Sequence, residues 1–161
     1  MLIYSNPYQQ NRLDEKSLMQ ELHPNLLWLG HALDAREPRP LLEAGIAAVV
    51  DVAYEELPAQ LPRQLIYLRF PLNDGGGNSK AVLRLAVQSL VDLLHTKTRT
   101  IVACSAGMSR SPTVAAYALA CHLGTTPELV LEQIASIKSL EIKSQLWSDV
   151  ADVCSNVRRP T

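Results

Sequence analysis

Cys104 and Arg110 carry the strongest chemistry in this chain, and five residues separate them. The stretch Cys104-Ser105-Ala106-Gly107-Met108-Ser109-Arg110-Ser111-Pro112 follows an apolar run, Ile101 to Ala103. A free thiol with a pKa of ~8.5 is only a few per cent thiolate at neutral pH. Helix N-terminal N–H groups and a fixed positive charge favour the anion, which is the nucleophilic form. Five intervening residues allow a near-circular turn whose backbone N–H groups point inward, and such a ring binds a tetrahedral oxyanion. Ser105, Ala106 and Gly107 keep the ring uncrowded, Gly107 can take dihedrals closed to other residues, and Met108 and Ser109 complete it. Arg110 can grip two oxygens with its planar fork. The expected reaction is in-line displacement at phosphorus. Cys104 attacks, residues 105–110 hold the equatorial oxygens, and a phosphocysteine forms.

The elements around this loop must place the thiol at a strand end and the arginine at a helix start. Ile101–Cys104 reads as a short buried strand. Pro112 suits the first turn of a helix. Thr113–Leu123 contains no Asp, Glu, Lys or Arg and reads as a central buried helix stopped by Gly124. Upstream, Leu26–Gly30, Ile46–Val52 and Leu65–Phe70 read as strands, and Pro38–Ala44 as helical turns ended by Gly45. Pro71–Asn78 holds three of the seven glycines and reads as a flexible connection. Asn78 or Ser79 then caps a helix with Leu83, Ala86, Val87, Leu90, Val91 and Leu94 on one face. Thr125-Thr126-Pro127-Glu128 starts another, through a capping box from Thr125 or a Thr126 cap with proline next. Val130, Ile134 and Ile137 line it. A last helix over residues 143–157 buries Leu146, Trp147, Val150, Cys154 and Val157. Residues 1–12 read as a polar arm, and Leu13–Leu22 as a short amphipathic helix broken by His23-Pro24-Asn25. Strands alternating with helices, then helices alone, favour an α/β sheet flanked by helices.

At 161 residues the chain is long enough for one domain with a sizeable core. Apolar residues at 47% and charged residues at 19% fit a soluble globular protein. A net charge of −1 gives no reason to expect nucleic-acid or membrane-surface partners. The N-terminus lacks the charged start and apolar core of a signal peptide, and no apolar run nears the ~20 residues of a membrane span. The three cysteines, Cys104, Cys121 and Cys154, form no Cys-x-x-Cys pair. The expectation is therefore no disulfide framework, no zinc and a reducing, cytoplasmic setting. Cys121 and Cys154 read as core residues, the four histidines as surface or satisfied ones, and Asp51 as structural.

The segment from Cys104 to Pro112 resembles the signature loop of the cysteine-dependent protein tyrosine phosphatases, in particular the compact dual-specificity type. The similarity extends to Asn25–Gly30 with Asp34, to Gly45-Ile46 with Val49–Val52, to Tyr67–Asp74, to the helix from Thr126 and to the closing helix at Leu146-Trp147. It implies a single-domain α/β fold with a central, mostly parallel sheet of about five strands and helices on both sides. Residues 24–157 would form the domain, with 1–23 an arm or short helix and 158–161 a tail. Asp74 follows a strand, sits on the glycine-rich connection and precedes Cys104 by 30 residues. This suits the general acid that protonates the leaving alcohol and later activates water. Ser111 would help the thiolate leave the phosphocysteine. No cofactor or metal is implied. Phosphate, sulfate or vanadate is expected in the loop, and the protein is expected to be a monomer.

One residue departs from the family pattern. Ala103 stands where a histidine usually precedes the cysteine, supporting the loop and helping to keep the thiol ionised. An unperturbed thiol is ~3% ionised at pH 7, so lost ionisation costs at most ~30-fold against accelerations of ~10⁶ or more. Three readings follow. The first is a dual-specificity phosphatase acting on phosphotyrosine and phosphoserine/threonine proteins or small phosphomonoesters. The second is a catalytically weak, phosphate-binding pseudophosphatase. The third is a sulfurtransferase-like cysteine loop, against which the arginine spacing and Ser111-Pro112 speak. No lysine lies between Cys104 and Arg110, so highly phosphorylated inositol lipids are not favoured.

Overall fold

Alternation along three short strands decides which residues meet which layer. The computed structural model describes residues 19–160. Its sheet comprises β1 (Gln20–His23), β2 (Leu27–His31), β3 (Ala48–Ala53), β4 (Ile66–Leu72) and β5 (Thr100–Cys104). The spatial order is β1-β2-β5-β3-β4. Only β1 is antiparallel, against β2, and β5 runs parallel between β2 and β3. Strands buried on both faces read as continuous apolar runs, and every residue of β3 and β5 is buried.

Successive side chains on a strand face opposite ways. Leu27, Leu29, Val50, Val52, Val102 and Cys104 therefore enter the larger core with the four helices α2 (Lys80–His95), α3 (Arg110–Leu123), α4 (Pro127–Ile137) and α5 (Ser144–Cys154). Trp28, Val49, Ile101 and Ala103 enter a smaller core under α1 (Pro38–Glu43) and a 3-10 turn at Asp34–Arg36. Cys104 and Ala103 thus belong to different layers. Helix α3 lies at the centre of the larger one, packed against the sheet, α2, α4 and α5. Every residue from Arg110 to Ala120 is buried, which explains its lack of a polar face. Gly124 ends it at φ 73°.

Most element boundaries agree with expectation, and one element needs correction. The helix expected through Leu22 is replaced over Gln20–His23 by an edge strand, and Leu13–Leu18 lie outside the described residues. The break at Pro24 is a hairpin turn: Asn25 adopts φ 56° and the Leu26 amide donates to the His23 carbonyl at 3.1 Å. Pairing the backbone of β2 outweighs a weak apolar periodicity. The sheet accordingly begins at Gln20 rather than after residue 23.

At the other end, the tail folds back. Arg158 and Gln88 exchange two hydrogen bonds, at 2.9 and 3.0 Å, and Arg159 donates to the Cys121 carbonyl at 2.5 Å.

The caps of α4 and α2, open between neighbouring residues in the sequence, are settled by hydrogen bonds. Thr126, not Thr125, caps α4, accepting from Leu129 at 3.4 Å. Ser79 occupies the N-cap position of α2, but its side chain makes no capping bond. Asn78 instead laces the glycine-rich connection together. Its Oδ1 accepts from the Asn73 amide at 2.7 Å, and its amide donates to the Asn73 and Gly75 carbonyls at 3.0 and 3.1 Å.

Candidate active site

The loop from Cys104 to Arg110 forms where β5 ends between two parallel partners. This is the carboxyl edge of the sheet, where open α/β folds place their ligands. Gly107 turns the ring at φ 71°, and a Cβ there would lie 2.9 Å from the Gly30 carbonyl oxygen. Only glycine fits that approach. Ala32 donates its amide to Ser105 O at 3.2 Å, Glu141 to Met108 O at 2.9 Å, and Thr113 to Ser109 O at 3.0 Å. The Lys143 amide reaches Ser109 Oγ at 3.3 Å. The ring is therefore tied on both sides by backbone.

Ser111 Oγ lies 3.2 Å from Cys104 Sγ, and both residues are buried. Arg110, also buried, donates through Nη1 to the Leu72 carbonyl at 2.9 Å and to Glu55 Oε2 at 2.5 Å. Its Nη2 donates to Glu55 Oε1. Its Nε is buried and has no partner among the described residues. Burial works against the guanidinium charge. The hydrogen bond to Glu55 and the negative charges of Cys104, Glu55 and Asp74 outweigh it, so the pKa lies above its ordinary value. Glu55 responds in the opposite sense. The hydrogen bond from Arg110 lowers its carboxyl to about 2 against burial, and Ser105 Oγ, donating at 2.5 Å, helps.

Cys104, Ser105, Ala106, Met108, Ser109 and Arg110 line a pocket of about 200 Å³. Asp74 and Glu55 line it as well, with Glu141 on a third side. Asp74 thus lines the same pocket as the loop. A larger groove of about 660 Å³, lined by Leu131, Leu140 and Trp147 among others, holds neither thiol nor arginine.

Glu55 is the residue that sequence reading missed. It lies two residues past the end of β3, and β3 neighbours β5, so its place at the carboxyl edge was the available signal. A partly buried network holds its segment. Tyr67 Oη donates to Asp51 Oδ2 at 2.9 Å and accepts from the Ala59 amide at 3.0 Å. Arg69 donates to the carbonyls of Ala53 and Tyr54 at 3.3 Å and to that of Glu56. Asp51 is structural, as its buried strand position suggests. Lys138 was also missed. Its Nζ would lie 3.0 Å from a Cβ on Gly107. Burial lowers its pKa, opposed by the charges of Cys104 and Asp34.

Cys121 and Cys154 are unpaired and partly buried. Burial, with the charge of Cys121 adding, pushes the Cys154 thiol up to about 12. Among the described residues no group of three or more His, Cys, Asp and Glu is placed to hold a metal ion. No helix among them is long and apolar enough to cross a membrane.

This fold and loop define a class. The chain has the dual-specificity phosphatase fold, a single α/β domain with a five-stranded, mostly parallel sheet. A mouse protein described as a dual specificity phosphatase, complexed with zinc tungstate, superposes with a TM-score of 0.77 at 21% identity, over 89% of this chain and 90% of that one. Human DUSP28 gives 0.74 at 23%, over 86% and 93%. The human tyrosine phosphatase-like serine/threonine/tyrosine-interacting protein gives 0.73 at 16%, over 86% and 96%. By sequence alone, no described protein family and no curated protein matches.

Proposed function

We propose that this chain is a phosphomonoester hydrolase of the dual-specificity type, acting through a phosphocysteine on Cys104. Arg110 carries the reading. Its buried Nε–H has no acceptor among the described residues. A buried donor left unsatisfied costs about 1–3 kcal/mol, and a phosphate oxygen in the ring supplies the acceptor. Tungstate in the mouse protein is likewise a tetrahedral oxyanion.

The Cys104 thiolate attacks phosphorus in line with the ester oxygen. The S–P bond forms as the P–O bond breaks. Asp74, entering protonated, gives its proton to the leaving alkoxide. Ring amides and Arg110 bind the equatorial oxygens. Asp74, now a carboxylate, takes a proton from the incoming water, whose oxygen attacks phosphorus. The S–P electron pair returns to sulfur, and Ser111, at 3.2 Å, donates a hydrogen bond to the departing thiolate. Phosphoprotein substrates are the default of the resemblance, and small phosphomonoesters fit the same chemistry.

A second reading, a phosphate-binding module without turnover, rests on Ala103. The human tyrosine phosphatase-like interacting protein shares the fold. Against it stand the backbone ties of the ring, which hold it from the Ala32 and Glu141 sides without a histidine. The two readings separate in one assay. Wild type should release phosphate from an aryl phosphate in the presence of a metal chelator, and Cys104→Ser should lose about 10⁴-fold or more. Equal rates for the two proteins would overturn the hydrolase.

A further inference from the structure

We propose that the pocket selects phosphomonoesters flanked by positive charge, and that Glu141 sets this preference; the proposal rests on the ring being a phosphate site. One pocket carries two opposite signals. At its base is the buried Arg110, with an Nε–H that lacks an acceptor among the described residues. Around it stand three carboxylates, Glu55, Asp74 and Glu141, and Arg110 is the one cation among the described residues that line it. Glu55 is already spent on Arg110 through a two-point ion pair. Asp74 is committed to proton transfer. That leaves Glu141, exposed, with a side chain that has no hydrogen-bond or ionic partner among the described residues.

Main-chain bonds fix its place. The Glu141 amide donates to Met108 O at 2.9 Å, and the Lys143 amide to Ser109 Oγ at 3.3 Å. The connection between α4 and α5 is thus clamped to the ring at two points, which keeps Glu141 at the rim. Lys138 and Lys143 share this connection, but neither lines the pocket. The Lys138 ammonium lies against Gly107 of the ring.

A phosphate reaching Arg110 passes this rim. Acidic neighbours on the substrate meet the unpartnered Glu141 carboxylate and are repelled, whereas a lysine or arginine beside the phosphate gains an attraction. Between charges near a protein surface that attraction is worth about fivefold to tenfold in affinity, and salt screens it. A polyphosphorylated headgroup is disfavoured for the same reason.

The test uses Cys104→Ser protein and calorimetry at low ionic strength. The probes are three phosphotyrosine peptides of equal length with Lys/Arg, neutral or Asp/Glu flanks, their unphosphorylated forms, and vesicles containing a monophosphorylated inositol lipid. The basic phosphopeptide should bind about tenfold more tightly than the acidic one, and added salt should narrow the gap. Its unphosphorylated form should bind far more weakly. Glu141→Lys, introduced beside Cys104→Ser, should erase or invert the ratio, and Glu141→Gln should roughly halve it on a logarithmic scale. Both substitutions retain the main-chain bond to Met108. Equal binding of the acidic peptide or the vesicles, or a ratio indifferent to Glu141→Lys, overturns the proposal. Aryl phosphate hydrolysis by wild type separates the two ideas. Hydrolysis with flank-independent binding removes the rim preference and leaves the enzyme. Flank-dependent binding without hydrolysis leaves the preference and removes the enzyme.

Discussion

Both terminal nitrogens of Arg110 are taken up by the protein, by Glu55 and the Leu72 carbonyl, and this sets how the guanidinium is presented. The fork is held flat with Nε left for a ligand. Losing one such donor typically costs about 10²–10³ in turnover, so Arg110→Ala should fall at least that far in kcat/KM for an aryl phosphate. Glu55 also confers a pH dependence on folding. Its carboxyl lies near 2 in the folded protein, against an ordinary 4.5. Between those values the unfolded chain binds the proton and the folded one does not, so stability rises with pH. The contribution is complete above 4.5 and lost as pH falls through about 2. Half-exposure of Glu55 keeps it modest. Urea midpoints measured across this range should fall more steeply for wild type than for Glu55→Gln. Parallel curves would contradict the ion pair. Asp74→Asn should slow release of a poor leaving group by about 10²–10⁴ and of a good one much less; equal slowing would place the acid elsewhere.

The strand–ring–helix unit is the element on which the proposed chemistry rests. Its parts were legible because each has a local cause: an apolar run for β5, small residues for the ring, proline near the start of α3, and no charge between Thr113 and Leu123. Glu55 was not legible, because nothing in Tyr54-Glu55-Glu56 distinguishes a surface pair from an arginine clamp until β3 and β5 are known to be neighbours. Asn78 was misread for a related reason. An Asn before a helix is ordinarily a cap, and its partners here lie upstream, in the connection that carries Asp74. The edge strand β1 escaped because its apolar content is low and its partner strand decides its form. At this scale Gly107→Ala should lower both stability and turnover, since the new methyl meets the Gly30 backbone and the residue must hold a left-handed dihedral. Leu119→Ala, fully buried in α3, should cost about 2–5 kcal/mol in urea unfolding. A loss under about 1 kcal/mol would contradict the central packing of α3.

For the whole molecule, the sheet places Cys104 and Ala103 in different layers, so the residue before the thiol faces the smaller core rather than the pocket. With Ala103 in the smaller core, the ring is held by main-chain bonds from Ala32 and Glu141. A domain built this way should be stabilised as a unit by an oxyanion. Vanadate at about 100 times its Kd should add about 2.7 kcal/mol to unfolding, read as a rise in Tm that Arg110→Ala abolishes. The proposed reaction passes phosphate through sulfur, and a rapid quench reads that step. Asp74→Asn protein, mixed with an aryl phosphate and quenched in acid within milliseconds, should yield a peptide carrying one phosphoryl group on Cys104. Phosphate release at the wild-type rate with no phosphoryl group on Cys104 at any quench time would contradict it.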